Sequence, residues 1–222
     1  MSYGLASGIR LDLFTSGLLL VRLQINPRAR IGRKLMYIFW DNSNIHFAGL
    51  NHVFPMKEPG LDKRLYRTYF KGLLDLVANG RTVDKIYFAG SEPPKEDKLW
   101  EAAKRLGATV RVMPRCATGR EEDTVDHLLE LEILRLGYDS RPDTLALLTG
   151  DGAGWSEGRG FLSDSRRLVE KGWDLEVYSW DAACNSELKN YALRKGKYIP
   201  LESYYECVTF ISNGRKAKLL SE

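Results

Sequence analysis

A three-layer α/β/α fold around a mainly parallel sheet is predicted by two observations. From position 35 onward, short apolar runs alternate with longer segments of helical period. The intervening segments are long enough to serve as crossover helices, and no internal repeat or low-complexity tract interrupts them.

The strand candidates are "LMYIFW" (35 to 40), "KIYFAG" (85 to 90), "TVRVMP" (109 to 114), "TLALLTG" (144 to 150) and "DLEVYSW" (174 to 180). A first helix is expected over 61 to 78, because Leu61, Leu65, Tyr69, Leu73 and Val77 recur every four residues, and Asn79-Gly80 closes it. A second, over 95 to 106, opens after Pro93-Pro94 and ends at Gly107. The third, 121 to 136, starts with acids that suit the positive end of a helix dipole and stops at Gly137. A fourth spans 161 to 171 before Gly172, and a short helix over 186 to 194 precedes two edge-strand candidates, "KYIPL" and "CVTFI". The domain covers 35 to 212, between a basic arm at 1 to 34 and a tail at 213 to 222.

The formal net charge is +4. Six of the 33 basic residues but only one of the 29 acidic residues fall in the first 35 positions, so the remainder carries 27 basic and 28 acidic side chains. The body is therefore no general polyanion binder, and any contact with nucleic acid must be local. The arm reads as a surface extension, as sequence upstream of a start at Met36, or as a transit segment. Three cysteines (Cys116, Cys184, Cys207) without a C-x-x-C pair suggest neither zinc nor a disulfide framework, so a reducing, cytoplasmic setting is expected. The longest apolar stretch, "SGLLLVRL", is far short of the roughly 20 residues of a membrane span.

Parallel sheets bind ligands outside the carboxyl ends of their strands. Asp41 follows "YIFW", Glu92 follows "KIYFAG", Asp151 follows "LALLTG" and Asp181 follows "EVYSW", while Glu121, Glu122, Asp123 and Asp126 open the third helix. Singly, each reads equally well as a cap or turn residue. Together they converge on one rim, where massed carboxylates need a counter-cation. An all-oxygen set without paired His or Cys favours Mg²⁺ or Mn²⁺, ions that serve phosphoryl chemistry. A dinucleotide-binding turn at "TGDGAG" is disfavoured, because Asp151 would face the pyrophosphate and position 157 is Glu157 rather than glycine.

The segments "YIFWDNSNI", "GREEDTVDHLLELEILRLG", "LALLTGDGAG" and "FLSDSRRLVEKGWDLEVYSW", in that order, resemble the NYN family of PIN-like ribonucleases across residues 36 to 205. The resemblance implies a PIN-like sheet with the strands of Asp41 and Asp151 adjacent, and metal-dependent cleavage of RNA. It assigns catalytic and metal-holding roles to Asp41, Asp126 and Asp151, with Asp123 as the alternative in the helix and Glu122 beside it. Asn44 is carried over as a metal-water or phosphate contact, with Ser43 and Thr149 adding hydroxyls and Gly152 part of the same substrate-contacting set. The chain departs from the family's G-D-x-D-F loop, since Ala153 and Gly154 replace the second acid and the aromatic. Asp181, or else Glu157, is the expected substitute ligand, Asp181 being preferred because its strand end should adjoin that of Asp151.

Lys63, Arg67 and Lys71, spaced by four, could track phosphates or form a solvated helix face. Tyr37 and Trp40 read as core, and Trp155 as an aromatic able to stack on a base. The expected activity is endonucleolytic cleavage of single-stranded RNA with Mg²⁺ or Mn²⁺. The alternative is an RNA-binding adaptor with a degenerate pocket, and both leave room for a homo-oligomer or a protein partner.

Overall fold

The computed structural model describes residues 34–91, 99–113 and 121–220, without the side chains of 91, 113 and 121–125. In chain order the elements are β1 (Met36–Asp41), α1 (Asn42–Ala48), α2 (Phe54–Lys57), β2 (Tyr66–Thr68), α3 (Phe70–Ala78), β3 (Val83–Ser91), α4 (Leu99–Arg105), β4 (Thr109–Met113), α5 (Glu121–Asp139), β5 (Thr144–Leu148), α6 (Gly160–Glu170), β6 (Asp174–Ser179), α7 (Ser186–Lys195), β7 (Lys197–Pro200), α8 (Tyr205–Val208) and β8 (Thr209–Ile211). Glu92 and the start expected for the second helix lie outside the described residues.

Six strands form one sheet in the order β4-β3-β1-β5-β6-β7, every neighbouring pair parallel. β1 is buried along its whole length, as a strand covered on both faces must be. Its alternate residues feed two cores. Met36, Ile38 and Trp40 pack with Ile45, Leu73, Val77 and Val208, which come from α1, α3 and α8. Tyr37 and Phe39 face Leu129, Ile133, Phe161, Leu168, Leu188 and Ala192, on α5, α6 and α7. The three layers follow from that alternation.

The first helix departs from expectation. Only Phe70–Ala78 is α-helical; residues 63–65 form one 3₁₀ turn capped by the Asp62 carboxylate, and Tyr66–Thr68 pairs antiparallel with β8. "YRTY" carries the aromatic and β-branched residues that suit a strand, and long-range pairing outweighed the four-residue apolar spacing. Leu61 is exposed while Tyr66 is buried. α1 is a helix absent from the expected set: "NSN" opens it directly after β1. α5 runs through Gly137 to Asp139. Asn79 closes α3 in the left-handed conformation expected of it.

Glu176 on β6 is buried and clamped. Arg81 meets it with two hydrogen bonds of 2.7 and 2.8 Å, Tyr178 donates at 2.9 Å and Lys197 at 3.0 Å. Arg81 also donates to the carbonyls of Val77 and Ala78, so the clamp ties the end of α3 to the sheet. Residues after β8 are held as well, with Arg215 bonded to Glu58 and to Thr209. Among the described residues no helix is long and apolar enough to cross a membrane.

Burial alone would raise the Glu176 pKa, but Arg81, Lys197 and Tyr178 together pull it down to about 2. A carboxylate held below its unfolded value stabilises the fold above that value and loses its contribution as pH falls through the folded one. Glu176→Gln is expected to cost about 2 kcal/mol at neutral pH, discounted for the partial exposure of Arg81 and Lys197. In denaturant titrations the gap between wild type and variant should narrow as pH falls from about 4.5 toward 2.

Candidate active site at the β1–β5 rim

From β1 the chain winds outward to β3 and β4, then crosses back through α5 to β5 on the other side of β1. The order of the strands therefore reverses between β1 and β5, which opens a crevice at their carboxyl ends. Their register pairs Trp40 with Leu148, so the next residues, Asp41 and Thr149, stand side by side at its floor.

Asp41 is buried, and hydrogen bonds answer its charge. Its Oδ1 accepts the Asn44 amide at 3.0 Å, which makes it the N-cap of α1. Its Oδ2 accepts the Thr149 hydroxyl at 3.0 Å. The same Thr149 oxygen accepts the Asp151 amide at 3.1 Å, and the Asp151 carboxylate accepts the Ala153 amide at 2.9 Å. Asn44 completes the link from the other side, its Oδ1 accepting the Gly150 amide at 2.7 Å. Asp41, Asn44, Thr149 and Asp151 thus form one unit joining the ends of β1 and β5. Ser43 is half-buried beside it, in the first turn of α1.

From the side, α5 brings Glu130, which feels the charge of Asp151. Asp126, half-buried, lies one turn before it on the same helix face. Burial raises the Glu130 pKa most; the charges of Asp164 and Asp151 add to it, against His127 and a hydrogen bond from the Gly160 amide. Asp164, buried on α6, is likewise raised by burial, although Arg167 bonds to it at 2.6 Å and partly offsets this. Neither Glu130 nor Asp164 was singled out in the sequence. The available signal was the four-residue spacing from Asp126 to Glu130, together with a lone acid between two serines in "FLSDSRRL". The side chains of Glu122 and Asp123 lie outside the described residues.

Other expected groups are engaged elsewhere. β6 does end beside β5, but the Asp181 carboxylate is turned to Lys189, whose hydrogen bond chiefly lowers its pKa. Glu157 pairs with Arg159. Gly152 is required for packing, because a Cβ there would lie 2.5 Å from Asn185 Cγ at the cap of α7. The stripe of Lys63, Arg67 and Lys71 does not exist as a helix face. Lys63 bonds to Asn51, Arg67 to the carbonyls of Arg64 and Tyr66, and Lys71 to Asp75.

Among the described residues, no three acidic, His or Cys side chains are grouped closely enough to hold a metal ion as they stand. In kind, however, the unit of Asp41, Thr149 and Asp151 presents oxygen atoms. The Glu130 carboxyl, raised chiefly by burial and further by the charges of Asp164 and Asp151, is one that a nearby hard divalent cation would hold ionised.

A family model described as NYN domain matches residues 36–199. Among solved structures, a protein of unknown function from Vibrio parahaemolyticus is similar in fold, with a TM-score of 0.56 at 13% identity over 76% of this chain and 93% of that one. No curated protein matches the sequence.

Thr149→Val, which keeps the shape of the side chain, leaves Asp41 Oδ2 and the Asp151 amide without their shared partner. It is expected to cost about 1–3 kcal/mol of stability, measurable by chemical denaturation.

Proposed function

The chain belongs to the NYN domain family of PIN-like nucleases, and from that premise we propose that it is a Mg²⁺- or Mn²⁺-dependent endoribonuclease acting at the β1–β5 rim. The observation that carries the reading is the hydrogen-bonded unit of Asp41, Asn44, Thr149 and Asp151 at the reversal of strand order. Asp41 and Asp151 would hold the ion, with Asp126 and Glu130 facing it from α5. When bound, such an ion supplies Lewis-acid stabilisation of a phosphate and an activated water.

The chain's own groups have distinct tasks. Asp41 and Asp151 present negative charge from two strand ends that the Thr149 hydroxyl keeps in register. Asn44 spends its Oδ1 on Gly150, which leaves the Nδ2 amide to donate to a phosphate oxygen. Glu130, raised by burial and by Asp164 and Asp151, supplies the further carboxyl that the loop lacks at Ala153. Asp181 and Glu157, each already paired with a cation, drop behind Glu130 for that role. Three cysteines without a C-x-x-C pair fit a reducing, cytoplasmic setting for this activity.

Asp41→Asn keeps a good helix cap while removing a charge. That variant and Asp151→Asn should each lower cleavage of a labelled RNA on the order of a hundredfold or more, with melting temperature little changed for Asp41→Asn. Wild-type protein that binds RNA yet leaves it intact with both Mg²⁺ and Mn²⁺ would establish the adaptor reading instead, with Ala153 as its cause.

A further inference from the structure

Four of the five tryptophans meet another ring edge to face. Trp40 packs on Phe70 and Phe88, Trp100 on Phe88, Trp173 on Tyr37 and Trp180 on Tyr205. Trp155 alone has no ring partner among the described residues, and it is 38% exposed. A solvated indole forgoes the burial that its size would reward.

Its backbone is nevertheless tightly held. Trp155 sits in a single 3₁₀ turn between Gly154 and Gly158, both left-handed at φ 71 and 74°, where a side chain would be strained. The Gly154 carbonyl accepts the amides of Glu157 and Arg159, both at 3.0 Å. The Trp155 carbonyl accepts the Gly158 amide at 3.1 Å and the Ser163 hydroxyl at 3.2 Å. Arg167 pins the Gly158 carbonyl at 2.7 Å while holding Asp164. The two ends of the loop rest on candidate site acids, Ala153 on Asp151 and Gly160 on Glu130.

Resting on the ribonuclease reading, we propose that Trp155 is a stacking platform for one unpaired base of an RNA strand lying across the rim. Trp155 is four positions beyond Asp151, so their Cα atoms are at most about 14 Å apart. That is about four stacked nucleotides at 3.4 Å each. An indole face accepts any base, whereas a duplex has its base faces already covered. A protein partner is the weaker fit, because no other large apolar residue of this loop or of α6 is exposed. The surface offers one flat ring rather than an apolar patch.

The test uses full-length protein carrying Asp41→Asn, so that RNA stays intact, in Mg²⁺, with a short single-stranded oligoribonucleotide and a blunt duplex of the same sequence. Adding Trp155→Ala is expected to weaken single-strand binding about 5- to 150-fold and leave duplex binding unchanged. Trp155→Phe, which keeps a ring, should retain most of the affinity. Single-strand RNA should quench the tryptophan fluorescence of the Asp41→Asn protein but not of either double variant. Unchanged single-strand affinity in Trp155→Ala, equal losses on both RNAs, or no RNA binding by the parent overturns the proposal. Wild type that cuts no RNA while Trp155→Ala still loses single-strand affinity rejects the nuclease reading and keeps the platform.

Discussion

A carboxylate at the end of a fully buried strand survives only if its charge is answered, and at Asp41 the answer comes from two directions. The Asn44 amide caps it locally, while Thr149, 108 residues away, brings a hydroxyl from the adjoining strand. Taking Asp41 out of water therefore commits β1 and β5 to each other in one register. Everything at the rim depends on that commitment: the start of α1, the path of the loop from Gly150 to Ala153, and the position of the Asp151 carboxylate.

Around this unit the protein separates two kinds of acid. Glu176 is wrapped by Arg81, Lys197 and Tyr178 and is held ionised as a structural clamp. At the rim the balance runs the other way: burial, with the charges of Asp164 and Asp151, raises the Glu130 carboxyl, and burial raises Asp164 despite its bond to Arg167. Carboxyls raised by burial in this way are commoner at functional sites than elsewhere on a protein.

Most of the fold was legible because burial patterns are local. The unbroken apolar run "MYIFW" identifies a central strand, and the acids after it and after "LALL" had to emerge at the carboxyl edge, where Asp41 ends β1 and Asp151 follows the adjacent β5. Legibility failed where a segment satisfied two local patterns at once. Residues 61–69 carry both helical spacing and strand-forming side chains, and only the partner β8 settled the matter. The basic stripe dissolved with that helix.

Sequence by itself determined the alternation of strands and helices, the buried identity of Tyr37 and Trp40, and the delivery of Asp41 and Asp151 to one rim, since each follows from periodicity within a few residues. Tertiary structure decided which acids share that rim. It turned Asp181 and Glu157 toward cations, brought Glu130 and Asp164 in from separate helices, and left Trp155 exposed without a ring partner among the described residues. The reason is physical: charge and stacking act through space over a few ångströms, between residues whose separation along the chain carries no trace of their contact.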